Sequence, residues 1–166
     1  VRFRFLDPEP NGPAGQVGEQ IVAPYDDESA LTRLARGASA VTVEFENVPT
    51  MVLNAASAFC PVRPSAAVLG IAQNRRAEKT WLLANKIPCA PFEIVEDRDA
   101  LEAAVARIGR PAVLKTASFG YDGKGQVKIT ALEKCEAAFA ALNGQEGIYE
   151  AFVDFEKELS VVAART

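Results

Sequence analysis

A glycine-rich segment between two short apolar runs constrains this chain more than any other feature. Residues 111–114 read Pro-Ala-Val-Leu, residues 115–126 read Lys-Thr-Ala-Ser-Phe-Gly-Tyr-Asp-Gly-Lys-Gly-Gln, and an alternating run follows over residues 127–130. This pattern predicts a strand, a loop and a second strand. The backbone N–H groups of such a loop can surround a polyphosphate while Lys115 supplies a fixed positive charge.

Two interpretations of this segment remain open from its own residues. It is not a Walker A loop, because no Ser or Thr follows Lys124 and no helix is predicted to begin there. A plain β-hairpin with a tight turn at Asp122-Gly123 is the alternative to a phosphate-binding loop. Lys115 is accordingly either a solvated strand end or a phosphate ligand.

Composition argues against several classes of protein. The 166 residues suffice for one large domain or two small ones. A net charge of −4 with scattered Lys and Arg gives no support for a nucleic-acid partner, and no apolar run approaches the roughly 20 residues of a membrane span. The lack of histidine excludes a Ser-His-Asp triad and His-ligated zinc within these residues. Because Val1 and the strand-like residues 161–166 look like cut ends, we expect a fragment of a longer protein.

The first half of the chain alternates strand and helix patterns, which indicates a parallel α/β sheet. Helix-start signals lie at Asp26-Asp27, Pro49 and Ser65. The strands are predicted at residues 2–6, 20–23 and 40–45.

The second half begins with an amphipathic helix over about residues 75–86, which has Trp81 and Leu82 on its apolar side. Pro91 opens a new unit, so we expect the boundary between two lobes within residues 75–91. The elements predicted after it are strands at 92–95, 112–115 and 127–130, helices at 99–108 and 132–142, and extended segments at 148–153 and 158–162.

Polar residues that could form a site follow these elements. Alternation along the strand predicted at 40–45 places Glu44 and Glu46 on one face, beyond the strand's carboxyl end, where a small polar substrate can bind. The alternative is a solvated strand end that leads into a helix N-terminus. Arg75 and Arg76 lie in the first turn of a helix, where cations are unfavourable, so they are either functional or an ordinary surface pair.

The segment Glu150-Ala151-Phe152-Val153 is predicted to be extended. Its backbone N–H and C=O groups could pair with an adenine edge, and Glu158 could accept hydrogen bonds from ribose hydroxyls. Taken alone, the segment is more typical of an edge strand without a ligand.

Together these motifs resemble the ATP-grasp superfamily and, within it, the N5-carboxyaminoimidazole ribonucleotide synthetases. The resemblance implies an α/β ATP-grasp fragment, in which a partial Rossmann-like pre-ATP-grasp lobe precedes an α+β ATP lid subdomain. The first lobe, the substrate-binding domain, would cover residues 1–74 without its first strand. Residues 75–166 would be the first part of the ATP-grasp domain and would include the lid subdomain. The matching segments are Leu6-Asp-Pro8, Ala14-Gly-Gln16, Pro24-Tyr-Asp26, Glu44-Phe-Glu-Asn-Val-Pro49, Gly120-Tyr-Asp-Gly-Lys-Gly-Gln126 and Glu150-Ala-Phe-Val153 with Glu158.

The resemblance also implies a reaction. ATP would phosphorylate bicarbonate to carboxyphosphate, and the carboxyl group would pass to the 5-amino group of 5-aminoimidazole ribonucleotide in de novo purine synthesis. It implies ATP and Mg²⁺ as cofactors, with the magnesium ligands beyond Thr166 and no metal site in this chain. It further implies a cytoplasmic homodimer with no nucleic-acid or membrane partner.

Site residues carry over from the matching motifs. Glu44 and Glu46 would contact the aminoimidazole ribonucleotide, and Tyr121 and Asp122 would be catalytic and face the same substrate. The residues that would bind ATP are Arg75, Lys115, Gly120, Tyr121, Asp122, Gly123, Lys124, Gly125, Gln126, Glu150, Ala151, Phe152, Val153 and Glu158.

Two alternative functions share much of this pattern. A formate-dependent glycinamide ribonucleotide transformylase would have the same lysine, the same glycine loop and the same extended segment at residues 150–153. The particular residues of the motifs at 44–49 and 121–126 argue against it. A non-catalytic ATP-grasp module that only binds nucleotide would also keep the loop.

Overall fold

The structure is a computed structural model that describes residues 1–118 and 125–163. These residues form two compact units, the first from Val1 to Trp81 and the second from Leu82 onward. No helix in the described part of the chain is long and apolar enough to cross a membrane.

The first unit contains a parallel pair of strands, as the alternation of strands and helices predicts. Strand β1 (Arg4–Asp7) pairs in register with β2 (Glu19–Val22), which places Leu6 opposite Ile21. A short 3-10 helix, Pro13–Gln16, lies between them. The α-helices that begin in this unit are α1 (Glu28–Ala35), α2 (Thr50–Ser57), α3 (Ala66–Ala72) and α4 (Arg75–Ala84).

Side-chain caps fix where helices α1 and α3 begin. The Asp27 carboxylate accepts a hydrogen bond from the Ala30 N–H at 2.7 Å, and the Ser65 hydroxyl accepts one from the Val68 N–H at 3.4 Å. Apolar side chains of the helices then form the core of the unit, in which Leu53 is 2% exposed. The buried members of this core are Leu31, Ala35, Val48, Val52, Leu53, Ala56, Cys60, Val62 and Leu69.

The strand predicted at residues 40–45 is wrong. Only Val41 pairs, in a single parallel bridge with Val62. At this bridge the Val41 N–H donates to the Pro61 carbonyl at 2.8 Å and the Arg63 N–H donates to the Val41 carbonyl at 2.9 Å. The partner segment reaches Ser65, the N-cap of α3, two residues later, so it offers residues 43–45 no extended backbone to pair with. The chain therefore bends from Glu44 onward and reaches α2 through a turn.

The second unit is an antiparallel four-stranded sheet with helices, which agrees with the predicted α+β arrangement. The strands are β3 (Phe92–Val95), β4 (Ala112–Thr116), β5 (Gln126–Ile129) and β6 (Gly147–Ala151), and the helices are α5 (Arg98–Ile108), a 3-10 turn (Leu132–Lys134) and α6 (Cys135–Ala141). The strand order in the sheet is β3–β6–β4–β5.

One face of this sheet packs against helices α5 and α6. Tyr149 and Leu114 of the central strands are almost fully buried there, and the Tyr149 hydroxyl donates a hydrogen bond to the Gly109 carbonyl at 2.9 Å. Gly109 ends α5 with φ +79°, a backbone conformation that favours glycine. The buried members of this core are Val95, Leu101, Ala104, Ala112, Leu114, Ile129, Ala138, Leu142 and Tyr149.

Two further expectations about the second half are wrong. Helix α4 ends at Ala84 rather than near residue 86, and Trp81, expected on its apolar side, is 45% exposed. Residues 158–162 do not form a strand. Strand β6 ends at Ala151, and the described residues after it add to neither edge strand of the sheet, β3 or β5. Its apolar side chains are solvated, and Val162 is fully exposed.

The buried hydroxyl of Tyr149 generates a stability prediction. We expect Tyr149→Phe to lower the free energy of unfolding by about 1 kcal/mol, because the Gly109 carbonyl loses its partner. Burial, and then the neighbouring Cys135, raise the pKa of Tyr149 above its usual value. The stabilisation is therefore complete below pH of about 10 and is lost as the pH rises through the folded-state pKa.

Urea unfolding of the wild-type protein and of Tyr149→Phe, repeated across a pH series, measures the contribution of this hydrogen bond to stability. The difference in unfolding free energy should be constant below pH of about 10 and should shrink above it. Equal stability of the two proteins at neutral pH would mean that the hydrogen bond contributes nothing.

Candidate functional site

The face of the sheet opposite the helices carries charged residues. In an antiparallel ladder, directly paired residues point to the same side of the sheet. Val113 pairs with both Lys128 and Glu150, and Lys115 pairs with Ile148 and Gln126. We call the side that these residues share the charged face.

A lysine–glutamate pair occupies the middle of the charged face. Lys115 Nζ lies 3.2 Å from Glu150 Oε2, and the two side chains are only 25% and 15% exposed. A half-buried ammonium group needs a compensating negative charge, and Glu150 supplies it. A phosphate oxygen is the same kind of partner for an ammonium group, so the predicted role of Lys115 as a phosphate ligand is chemically compatible with this position.

The loop that follows Lys115 begins and ends with ordered backbone contacts. The Thr116 N–H donates to the Gly125 carbonyl at 2.8 Å, and Gly125 has φ +70°, which favours glycine. The antiparallel pairing of β4 and β5 satisfies both the hairpin and the phosphate-loop interpretations. The predicted turn and the site residues Gly120, Tyr121, Asp122, Gly123 and Lys124 lie outside the described residues.

The end of β6 has the extended backbone predicted for a base-binding segment. Two of its amides are already used, because the Ala151 N–H donates to the Pro91 carbonyl at 2.9 Å and the Phe152 N–H to the Pro111 carbonyl at 3.2 Å. Among the described residues, Val153 makes no such bond. Its amide is therefore the one in this segment that is left to donate to a ligand.

Other residues predicted for the nucleotide lie near or beyond this segment. Gln126 opens β5 opposite Lys115, on the charged face. Glu158 is exposed on the irregular chain that follows β6. Arg75 begins α4, whose first turn is capped by Asn74 Oδ1, which accepts from the Ala77 N–H at 2.9 Å.

A second polar group lies in the first unit, beyond the carboxyl ends of its parallel strands. Asp7 ends β1, Tyr25 follows β2, and Glu44 follows the bridge residue Val41. Burial, and then the negative charges of Asp7 and Glu44, raise the pKa of Tyr25. The phenol therefore keeps its proton to higher pH and can donate a hydrogen bond, while carboxylates such as those of Asp7 and Glu44 can accept from an amino group.

The structure separates the two glutamates that the sequence placed on one face. The negative charge of Glu44 raises the pKa of Tyr25, whereas Glu46 lies in the following turn, and both side chains are exposed. The Glu46 carbonyl and the Val48 carbonyl, at 2.7 Å, both accept hydrogen bonds from the Gln73 side chain. The physical reason is the missing strand, since period-two alternation does not apply in a turn.

Sequence reasoning missed two groups of residues. It did not include Asp7 and Tyr25 among the candidate site residues, although ligands of such sheets usually bind beyond the carboxyl ends of the strands, where these residues lie. It also missed Lys128, whose Nζ lies 3.4 Å from the centroid of the Phe152 ring. Alternation from Gln126 would have placed Lys128 on the same face as Lys115.

Comparison with known proteins assigns the family. The model of the ATP-grasp domain matches residues 80–166, and that of the ribonucleotide synthetase preATP-grasp domain matches residues 1–73. The chain belongs to the ATP-grasp family. The predicted α/β fold class, a pre-ATP-grasp lobe followed by the start of an ATP-grasp domain, is confirmed.

Individual relatives support the narrower resemblance. The N5-carboxyaminoimidazole ribonucleotide synthase of Brucella melitensis is 44% identical over 97% of this chain, and the chain spans 45% of that protein. The N5-carboxyaminoimidazole ribonucleotide synthetase structure from Thermus thermophilus is 41% identical, with a TM-score of 0.85 over 94% of this chain and 42% of its own. A Staphylococcus aureus N5-carboxyaminoimidazole synthetase complexed with ADP has a TM-score of 0.87 at 29% identity, over 93% and 42% of the two chains. The chain thus spans less than half the length of these relatives.

The electrostatic effect of Glu44 on Tyr25 can be tested by titration. Glu44→Gln should lower the pKa of Tyr25 without returning it to its usual value, because burial is the larger cause of the shift. The absorbance of the tyrosinate measures the pKa, with Tyr25→Phe used to assign the signal. The matched control, Glu46→Gln, should leave the titration unchanged, and equal effects of the two variants would contradict this placement of Glu44.

Proposed function

We propose that the full-length protein that carries this chain is an ATP- and bicarbonate-dependent carboxylase. Its substrate would be 5-aminoimidazole ribonucleotide and its product N5-carboxyaminoimidazole ribonucleotide. The identity of the relatives supports this proposal, and the observation that carries it is the half-buried pair of Lys115 and Glu150 beside the entrance to the glycine loop.

The proposed nucleotide site uses the charged face and the end of β6. Lys115 exchanges Glu150 for phosphate oxygens, and Arg75 with residues 120–126 completes the phosphate site. The Val153 amide donates to the adenine ring, since the amides of Ala151 and Phe152 are engaged elsewhere. Glu158 accepts hydrogen bonds from the ribose.

The proposed reaction has two steps. A bicarbonate oxygen attacks the γ-phosphorus of ATP, and the bond to the leaving ADP breaks to give carboxyphosphate. The 5-amino nitrogen then attacks the carboxyl carbon, loses a proton, and phosphate leaves. In such a reaction the protein mainly positions the reactants and neutralises charge, which needs neither histidine nor an activated nucleophile.

The proposed substrate site lies in the first unit. Glu44, Asp7 and Tyr25 offer two carboxylates and a neutral phenol to the amino group and ring of the aminoimidazole. Tyr121 and Asp122 are proposed to face the same substrate as catalytic residues. Glu46, whose side chain is exposed in the following turn, is proposed to contact the same substrate.

The remaining parts of the proposal concern the whole protein. Among the described residues, no three or more carboxylate, cysteine or histidine side chains form a group that could hold a metal ion. We place the proposed Mg²⁺ ligands in other residues of the full-length protein. We further propose a cytoplasmic homodimer whose functional domains divide near residue 75, where α4 begins.

Substitution of Lys115 tests the nucleotide site. Lys115→Ala in the full-length enzyme should weaken ATP binding or turnover by about 100-fold or more, because a charge-assisted contact to phosphate is lost. Lys134→Ala is the matched control, since Lys134 is an exposed lysine of the short turn before α6. It should leave both quantities unchanged. Unaltered ATP affinity and turnover in Lys115→Ala would contradict the site.

A product assay of the wild-type enzyme tests the reaction. Phosphate release should require both bicarbonate and 5-aminoimidazole ribonucleotide. Turnover with formate and glycinamide ribonucleotide instead would identify a transformylase. Nucleotide binding without turnover on either pair of substrates would identify a non-catalytic module.

A further inference from the structure

Lys128 makes a specific contact that the proposed reaction leaves unexplained. It lies on β5 opposite Val113, which is itself opposite Glu150, so it shares the charged face with Lys115. Its Nζ is 3.4 Å from the centroid of the Phe152 ring. This distance is well within the roughly 6 Å over which an ammonium group is attracted to an aromatic face.

Phe152 is held from two directions as a result. Its backbone N–H donates to the Pro111 carbonyl at 3.2 Å, just before β4 begins, and its ring lies beneath the ammonium group of Lys128 on β5. These contacts tie the chain that leaves β6 to the two strands that flank the glycine loop. The next residue is Val153, whose amide is the one left to meet a nucleotide base.

Lys115 and Lys128 therefore have different partners on the same face. Lys115 is compensated by a carboxylate and is only 25% exposed, which suits a cation that exchanges one anion for another. Lys128 is exposed and lies over an apolar ring that no phosphate would replace. A contact with the ring fixes the position of Phe152 rather than the charge of a ligand.

We propose that Lys128 is a positioning residue for recognition of the adenine base. By holding the Phe152 ring, it fixes the direction of the Val153 amide toward the base. This inference rests on the proposed nucleotide site, which Lys115→Ala tests independently.

The experiment compares two nucleotides in the full-length enzyme. Lys128→Met keeps the length of the side chain and removes the charge, and Lys128→Arg keeps the cation over the ring. Lys134→Met is the matched control. KM and kcat are measured for ATP and for inosine triphosphate, whose base has a keto group and a ring N–H where adenine has an amino group and a ring acceptor. Thermal unfolding verifies that each variant is folded.

A positioning role predicts a base-dependent effect. Lys128→Met should raise KM for ATP by about two- to fivefold, with kcat changed by less than about twofold, since exposed contacts of this kind are weak. KM for inosine triphosphate should change less, so the preference for ATP falls. Lys128→Arg should restore the preference, and Phe152→Leu combined with Lys128→Met should have no more effect than Phe152→Leu alone.

Three results would overturn the inference. An equal rise in KM for both nucleotides would make Lys128 a phosphate ligand. Unchanged kinetics in Lys128→Met, with activity lost in Lys115→Ala, would remove the role of Lys128 and leave the nucleotide site intact. Unchanged kinetics in both variants would reject the nucleotide site as well.

Discussion

The antiparallel register of β4 is the constraint on which the candidate nucleotide site depends. Because β4 pairs on both sides, its alternate residues must point to opposite faces of the sheet. Ala112, Leu114 and Thr116 point toward the helices, whereas Val113 and Lys115 point away from them. A shift of the register by one residue would bury Lys115 in the apolar core, so formation of the core and placement of the cation are a single event.

We propose that the ion pair of Lys115 and Glu150 serves to exchange one anionic partner for another, because it contributes little to the stability of the fold. A lysine and a glutamate that are both largely shielded from water gain little net energy, because desolvation offsets most of their attraction. Their pairing nevertheless keeps the ammonium group oriented and compensated when no ligand is bound. In the proposed nucleotide site, an incoming phosphate would replace one anion with another, which costs less than the desolvation of a free lysine.

The sequence predicts the second unit better than the first. Strands β3, β4 and β5 lie within about one residue of their predicted positions, because short alternating runs bounded by Pro, Gly and Asp mark both the strand and its ends. The strand predicted at residues 40–45 failed for a non-local reason. Its apolar alternation is real, but the segment that it pairs with at Val62 turns into α3 after Ser65, so the later residues have no extended partner. Residues 158–162 have strand composition but do not form a strand in the described part of the chain.

The candidate site shows the same limit. Lys115 and the segment 150–153 are visible in the sequence because each adjoins a recognisable motif. The contacts between Lys115 and Glu150, and between Lys128 and Phe152, depend on strand order, since residues distant in sequence meet only through the placement of β6 beside β4. The group formed by Asp7, Tyr25 and Glu44 depends in the same way on three separate chain segments.

We propose above all that the nucleotide binds on the charged face and along the end of β6. Backbone amide chemical shifts, followed by NMR while ADP is added to the full-length protein, test this claim most directly. Our account predicts that the largest changes occur at Lys115, Thr116 and Val153, and that the Val153 amide shows the downfield shift of a new hydrogen bond. Saturable binding of ADP that leaves the amides of β4 and of residues 151–153 unchanged would contradict it.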